Sequence, residues 1–538
     1  MSEYSDTEQQ PATRKWYQAI GPAVITACVV IGPGSIMTSS NVGATQGYGM
    51  AWVVVISVVF MLTFMTMGAK LGVVTQESPS EIIRQRLGKF MAILIGCSVF
   101  FISAAFQFGN NLGVHMALVE FLDWDYLIVL FNLIAILFLL VFKEQYKVLE
   151  KAMMCFVALM LISFAINLSV AIFNNPRPGE ILSGFNPFAV RTLDINVLGL
   201  VGTTFVVSAA FYQSYLVKHK GWTTKDIKTG LIDVRVGSIV MGLITLMLIF
   251  TPATLFHPDY KYQQVVSLDA SFIPDSHQED KNPTTSFLVS KGIIEAQDYP
   301  KETRVITIAD KAIVAPSIEA LEYGTPRVSE IIQAVTMEQT KANDKTLVNK
   351  WVFVPHASLE SINSQYLANE KKPFSLKARS FGDIVEIGTS LESLFKGIGP
   401  TIFYFGVFAA AYSSFLVNSM IGGFILSDGL GLGQNANDKW PRILTIGVLL
   451  VGMAVGLYAI IALDGARPVT LVVAAQAMTV LASPLVAGVL LYLTCNGAIM
   501  GKHKNGPLLT TLGVIGFIIL VAMSIKTLLT AVLPKLGL

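Results

Sequence analysis

Ile31-Gly32-Pro33-Gly34-Ser35 sets a helix breaker in the middle of the first long apolar run, in a chain built mostly of such runs. Hydrocarbon offers no water to backbone groups that lose their helical partner. A spanning segment therefore stays helical unless its irregular part is buried in protein or lines a polar cavity. A Pro-Gly pair at that depth reads as a discontinuous helix with its break turned into the interior of a helix bundle, the alternative being a kink in an ordinary membrane helix. The polar groups gathered around such a break are the first candidates for a binding site.

Hydrophobic residues make up 53% of the 538 and charged residues 14%, against roughly 25% charged in soluble domains. This is the composition of an all-α polytopic membrane protein. The formal net charge is +2, and no basic arm stands out beyond the flanks that membrane helices carry, so no nucleic-acid partner is expected. Cys28, Cys97, Cys155 and Cys495 all fall in apolar runs at wide spacing. That is the pattern of small buried packing residues, and of neither a disulfide framework nor a zinc site. The polar stretch from Met1 to Pro11 lacks the apolar core of a signal peptide. Residues 1–14 are expected to form a short cytoplasmic tail.

A bilayer span takes about 17 to 25 apolar residues. Eleven runs qualify, near 16–47, 49–70, 90–118, 126–142, 152–173, 196–217, 236–255, 398–426, 443–463, 470–495 and 508–533. Basic residues gather in alternate loops: Arg84, Arg86 and Lys89; Lys143, Lys147 and Lys151; Lys218, Lys220, Lys225 and Lys228; Lys439 and Arg442; Lys502 and Lys504. The positive-inside rule places these loops in the cytoplasm, with the N-terminus inside and the C-terminus outside the cytoplasmic (inner) membrane. Between spans seven and eight the chain turns polar, from His257 to Asp383. Strand-like pieces at Arg304 to Ile308 and Trp351 to Val354, and a helical piece near Ser329 to Ala342, predict a small extracytoplasmic α+β insertion over 256–385. Its content of Val, Ile and Tyr is too high for simple disorder, and it offers a surface for an extracytoplasmic partner.

A second breaker follows in the sixth span, where Gly202-Thr203-Thr204 leads into Val206-Val207-Ser208 and the polar cluster Ser208, Tyr212, Gln213 and Ser214. Two five-helix halves, each opening on an interrupted helix, form the pattern of an inverted-repeat transporter with its site at the midplane. The expected organisation is a first repeat over 15–174, a second over 175–495 interrupted by the insertion, and an eleventh helix within 496–538.

Gly21-Pro22, Gly32-Pro33-Gly34-Ser35, Gly43, Gly47-Tyr48, Trp52 and Ala69-Lys70-Leu71-Gly72-Val73-Val74-Thr75 follow one another at an ungapped spacing. They resemble the opening of the natural-resistance-associated macrophage protein (NRAMP) family of divalent-metal transporters. The likeness continues through Tyr412-Ser413-Ser414, Gln476, Met500-Gly501 and Asn505, so it covers nearly the whole chain apart from the tail and the insertion. The resemblance implies a LeuT-type fold of 5+5 inverted repeats and, for typical members, proton-coupled uptake of manganese or ferrous iron.

The chain departs from that family where the metal is held. The family's first-span motif reads Asp-Pro-Gly-Asn, and its Asp and Asn positions are Gly32 and Ser35 here. The family's Met-Pro-His on the sixth span is Val206-Val207-Ser208, and a further family His becomes Gln213. The third-span Asp and Glu that the family uses for the proton fall at Gln107 and Asn110. A transition-metal site needs donors of suitable charge and softness, and here carboxylate and thioether are gone together. No metal-ligand set is assigned. His115 is the nearest titratable side chain on the third span, and Lys70 matches an inner-end lysine that snorkels to the interface.

The expected lining is neutral and polar: Gly32, Gly34, Ser35, Gln107, Asn110, Asn111, Ser208, Tyr212, Gln213, Tyr412 and Gln476. Magnesium, which dehydrates reluctantly, suits oxygens of amides and hydroxyls that leave its waters in place. A small organic solute such as an amino acid could instead set its carboxylate on the free amides of the restarted first helix. A non-transporting membrane receptor or scaffold is the alternative from another class. No nucleophile with a neighbouring base and no phosphate loop is readable, so neither an enzyme nor a cofactor is expected. Gly32→Asp with Ser35→Asn and Val206→Met is expected to raise manganese binding.

Overall fold

The computed structural model describes residue 26 and residues 31–75, 77–122, 124, 126–141, 145–174, 177–189, 195–255, 399–435, 438–462 and 469–529, with five strands between 262 and 377. Helix α1 (Pro33–Gln46) starts at the first breaker, and α2 (Ala51–Val74) follows after a short 3-10 turn. A surface helix α3 (Pro79–Leu87) leads into α4 (Lys89–Leu122), α5 (Leu127–Val141) and α6 (Gln145–Asn174). The second half opens with α7 (Ile195–Thr204) and α8 (Val207–His219), followed by α9 (Ile227–Leu255). After the insertion come α10 (Gly399–Leu430), α11 (Lys439–Ala462), α12 (Val469–Cys495) and α13 (Pro507–Thr527). Each apolar run expected to cross the membrane coincides with one of these helices, except the sixth, which is divided between α7 and α8. For the first run, the half before residue 31 lies outside the described residues except for Thr26.

The burial pattern is that of a membrane bundle. Large apolar side chains such as Phe90, Leu137, Phe173 and Leu508 face outward, while Gln107, Asn110, Asn418 and Gln476 are buried. Association of helices in lipid relies on close packing, because the surrounding tails are as apolar as the side chains. Gly68 and Gly72 on α2 show how close: a β-carbon at either would overlap a backbone carbonyl of α8, Ala210 O or Ser214 O. The expectation that the cysteines are buried fails for Cys97 and Cys155, which are exposed, and Cys495 is only half-buried. Lipid accepts an apolar run on either face of a helix, so hydropathy alone cannot say which of its residues point inward. Cys28 lies outside the described residues.

Within the insertion, β1 (Tyr262–Leu268), β2 (Arg304–Ile308), β3 (Lys311–Ala315), β4 (Val352–Pro355) and β5 (Phe374–Lys377) form one sheet in the order β3-β2-β4-β1-β5. Only β2 and β4 run parallel, pairing Val305 with Val352 and Ile306 with Phe353. The strand expected at 304–308 is β2, and the one expected at 351–354 is β4 shifted by one residue. The helical piece expected at 329–342 lies outside the described residues.

Candidate substrate site at the two helix breaks

Both spans are interrupted, the first at its breaker and the sixth just after Gly202-Thr203-Thr204, which forms the last turn of α7. Gly32 is the extended N-cap of α1, at φ −125° and ψ 179°, and Pro33 occupies the first turn, where its missing N–H costs nothing. No side chain caps this end, so the first-turn amides face the break. In the other half α7 stops at Thr204, Phe205 and Val206 are non-helical, and α8 restarts at Val207 with the Val206 carbonyl accepting from Ala209 and Ala210. Neither turn exposes a carboxylate, thioether or imidazole. Among the described residues no group of three or more His, Cys, Asp or Glu could hold a metal.

Around the first break the structure assembles a cluster of amides and hydroxyls from three other helices. A β-carbon on Gly32 would stand 2.8 Å from Oδ1 of Asn110 on α4 and 2.8 Å from Oγ of Ser414 on α10. One on Gly34 would overlap the side chain of Gln476 on α12, whose Nε2 also lies 2.8 Å from where a β-carbon on Gly109 would be. Asn110 donates through Nδ2 to Oε1 of Gln107 at 3.3 Å, and Asn111 donates to the Gln107 carbonyl at 2.8 Å. Asn132 on α5 continues the chain outward, its Nδ2 donating to Oδ1 of Asn111 at 2.6 Å. Three buried polar atoms of this cluster have no protein partner, Oγ of Ser35, Nε2 of Gln107 and Oε1 of Gln476, as do Oγ of Ser208 and Nε2 of Gln213 on α8. Buried polar groups are normally paired. Three such atoms beside one helix break make it the candidate site.

The expected residues do not all meet there. Gln213 accepts from Thr26 Oγ1 at 2.7 Å, tying α8 to the first span on the near side of the break. Tyr212 belongs to an aromatic group, stacked on Tyr215 and edge-on to Phe424. Tyr412 is half-buried among Phe408, Phe415, Phe131 and Phe156, stacked on the first two, and so packs α10 against α5 and α6. His115 is half-buried on α4. Lys70 donates to the carbonyl of Lys504 at 3.3 Å, a contact at the helix end.

One polar centre escaped the sequence reading. Asp428, near the end of α10, is buried and accepts from Ser78 Oγ at 2.8 Å and from Tyr215 OH at 2.6 Å. Ser80 donates in turn to Tyr215 at 3.1 Å. Arg84 of α3, paired with Glu81, donates to the carbonyls of Asp428 and Gly429 at 2.8 and 3.2 Å, closing the C-terminal end of α10. A single aspartate two residues past the expected end of the eighth run was the available signal, since a buried carboxylate has to be satisfied by specific partners.

Two sets of five helices, each opening on a broken span, define a polytopic membrane protein of the LeuT-type inverted-repeat architecture. The family model described as natural resistance-associated macrophage protein-like matches residues 23–271 and 372–530, and the chain belongs to that family. It is 26% identical over 290 residues to the divalent metal cation transporter MntH of Bacillus subtilis (strain 168), covering 52% of this chain and 66% of that one. With the MntH of Pectobacterium carotovorum subsp. carotovorum (strain PC1) it shares 25% over 260 residues, 47% and 62% of the two chains. The chain thus spans less than two thirds of the length of the curated relatives it matches. The crystal structure of the Eremococcus coleocola manganese transporter in complex with an aromatic bis-isothiourea substituted compound superposes with a TM-score of 0.61 at 17% identity, covering 98% and 90% of the chains.

Proposed function

We propose that this chain is a secondary transporter of the NRAMP family that works by alternating access on a hard, hydrated divalent cation, magnesium before manganese or iron. The relatives named as divalent metal cation transporters support the transport class. One observation carries the altered specificity: the buried lining at the first break is made of amides, hydroxyls and backbone, and the family resemblance puts Gly32, Ser35 and Val206 at the positions of its ligands. Magnesium keeps several waters in a bound state and asks its host for oxygens that accept hydrogen bonds from those waters. Gln476 Oε1, Ser35 Oγ and Ser208 Oγ are buried oxygens without a protein partner. Softer metals would gain nothing here in exchange for their hydration shell. The orientation that fits the basic loops puts the N-terminus and the Asp428 end of α10 on the cytoplasmic side of the inner membrane and the 256–385 insertion outside.

Proteoliposome flux with magnesium, manganese and amino acids as competitors tests the reading. Saturable magnesium flux that excess manganese inhibits only weakly is the expected result. Tight, saturable manganese uptake would overturn the altered-site reading. Competition by amino acids alone would favour an organic solute held on the uncapped amides of α1.

A further inference from the structure

The space that a side chain at residue 32 would need is already taken. Oδ1 of Asn110 and Oγ of Ser414 both lie 2.8 Å from the position of a β-carbon on Gly32, and Cβ of Ser414 lies at 3.2 Å. Both side chains are buried and held in place. The Asn110 amide donates to Gln107, which turns its carbonyl oxygen toward the break. The Gln107 side chain in turn lies flush against Gly452 of α11, where any β-carbon would collide with its stem. Ser414 Oγ accepts from Nδ2 of Asn418 at 2.8 Å.

We infer that Asn110 is the specificity-determining residue of the site, its amide oxygen standing in from α4 for the side chain that the first span lacks at Gly32. The inference rests on the cation reading above. An amide oxygen attracts a cation as a dipole and accepts hydrogen bonds from its waters, whereas a carboxylate at the same point adds a full charge in a poorly screened interior. The glycine at 32 and the amide at 110 are therefore one coupled exchange. An aspartate restored at 32 has to push aside the Asn110 amide and the Ser414 hydroxyl, and its carboxylate meets them in place of a cation. Restoring the three family ligands without trimming residue 110 is thus insufficient to recover manganese binding, contrary to the expectation from sequence.

Calorimetric titration of the full-length protein with manganese and with magnesium, paired with melting temperatures, tests this on five variants. Gly32→Asp alone should gain no manganese affinity and should melt lower. Gly32→Asp with Asn110→Ala should regain stability and bind manganese about tenfold tighter or better, a step of about 1.4 kcal/mol. Asn110→Asp, which changes charge and hardly any volume, should give a similar gain with a melting temperature near that of the parent protein, and it decides the matter if the residue-32 variants fail to fold. Gly32→Ala should lower the melting temperature, and Asn110→Ala should restore part of the loss, the Ser414 hydroxyl remaining in place, an arm that involves no ligand. Manganese gain from Gly32→Asp equal to that of the double variant, or no gain from Asn110→Asp, would overturn the proposal. Thermal coupling of 32 and 110 with no cation bound by any variant overturns the cation reading and the specificity role together, leaving only a packing exchange.

Discussion

At the scale of single residues, the pair Gly34 and Gln476 shows why a motif and a lone polar residue belong together. The Gln476 side chain runs across the bare backbone of Gly34 and ends against Gly109, so its stem as well as its amide would meet a β-carbon on Gly34. Gly34→Ala is expected to cost about 1–3 kcal/mol of stability, as overpacking in a tight core does. Gln476→Ser in the same chain should return part of it, as read by thermal melting in detergent. Both residues could be picked out of the sequence, one from the breaker and one from the family pattern. That each is the reason for the other's shape could not, because the contact joins residues of α1 and α12 that only packing brings together. The exposed cysteines teach the same lesson in reverse: an apolar neighbourhood in sequence is not a buried one in lipid.

At the scale of elements, the Asp428 centre joins three pieces of chain that share no covalent neighbourhood: the N-cap of α3, the middle of α8 and the end of α10. Ser78 serves it twice over, donating to Asp428 and accepting from the Glu81 amide as the N-cap of α3. Tyr215→Phe should remove one donor to the carboxylate and destabilise the protein by about 1–3 kcal/mol, the cost of a buried polar group left short of a partner. Asp428→Asn, which keeps shape and can still accept, should cost less than Asp428→Leu, which leaves Ser78 and Tyr215 without an acceptor. Equal melting temperatures for the asparagine and leucine variants would mean that the centre is filled space and no hydrogen-bonded junction. Pro79 and the Ser78 cap start α3 by local chemistry, but the docking of α3 on the end of α10 was not legible in the sequence, where Arg84 reads as a basic loop residue.

At the scale of the whole molecule, the Thr26 to Gln213 hydrogen bond ties the first span to α8 on one side of the two breaks. If the proposed alternating access holds, these segments separate once per cycle. Thr26→Cys with Gln213→Cys, bridged by a short bifunctional reagent, should then stop flux, and reduction of a cleavable bridge should restore it. Flux that survives a completed cross-link would assign the opening motion to other elements.

The sequence by itself determined the membrane class, the helices, both breaks and the neutral chemical inventory of the site. It could do so because a bilayer punishes unsatisfied backbone so heavily that hydropathy and breakers are read locally. Tertiary structure alone decided which polar groups share a space: that Asn110 fills the room at Gly32, that Gln476 lies across Gly34, and that Asp428 and Tyr412 take up packing posts away from the break. Those outcomes depend on the rotation and close approach of helices, and in lipid both faces of an apolar helix look alike until its neighbours are in place.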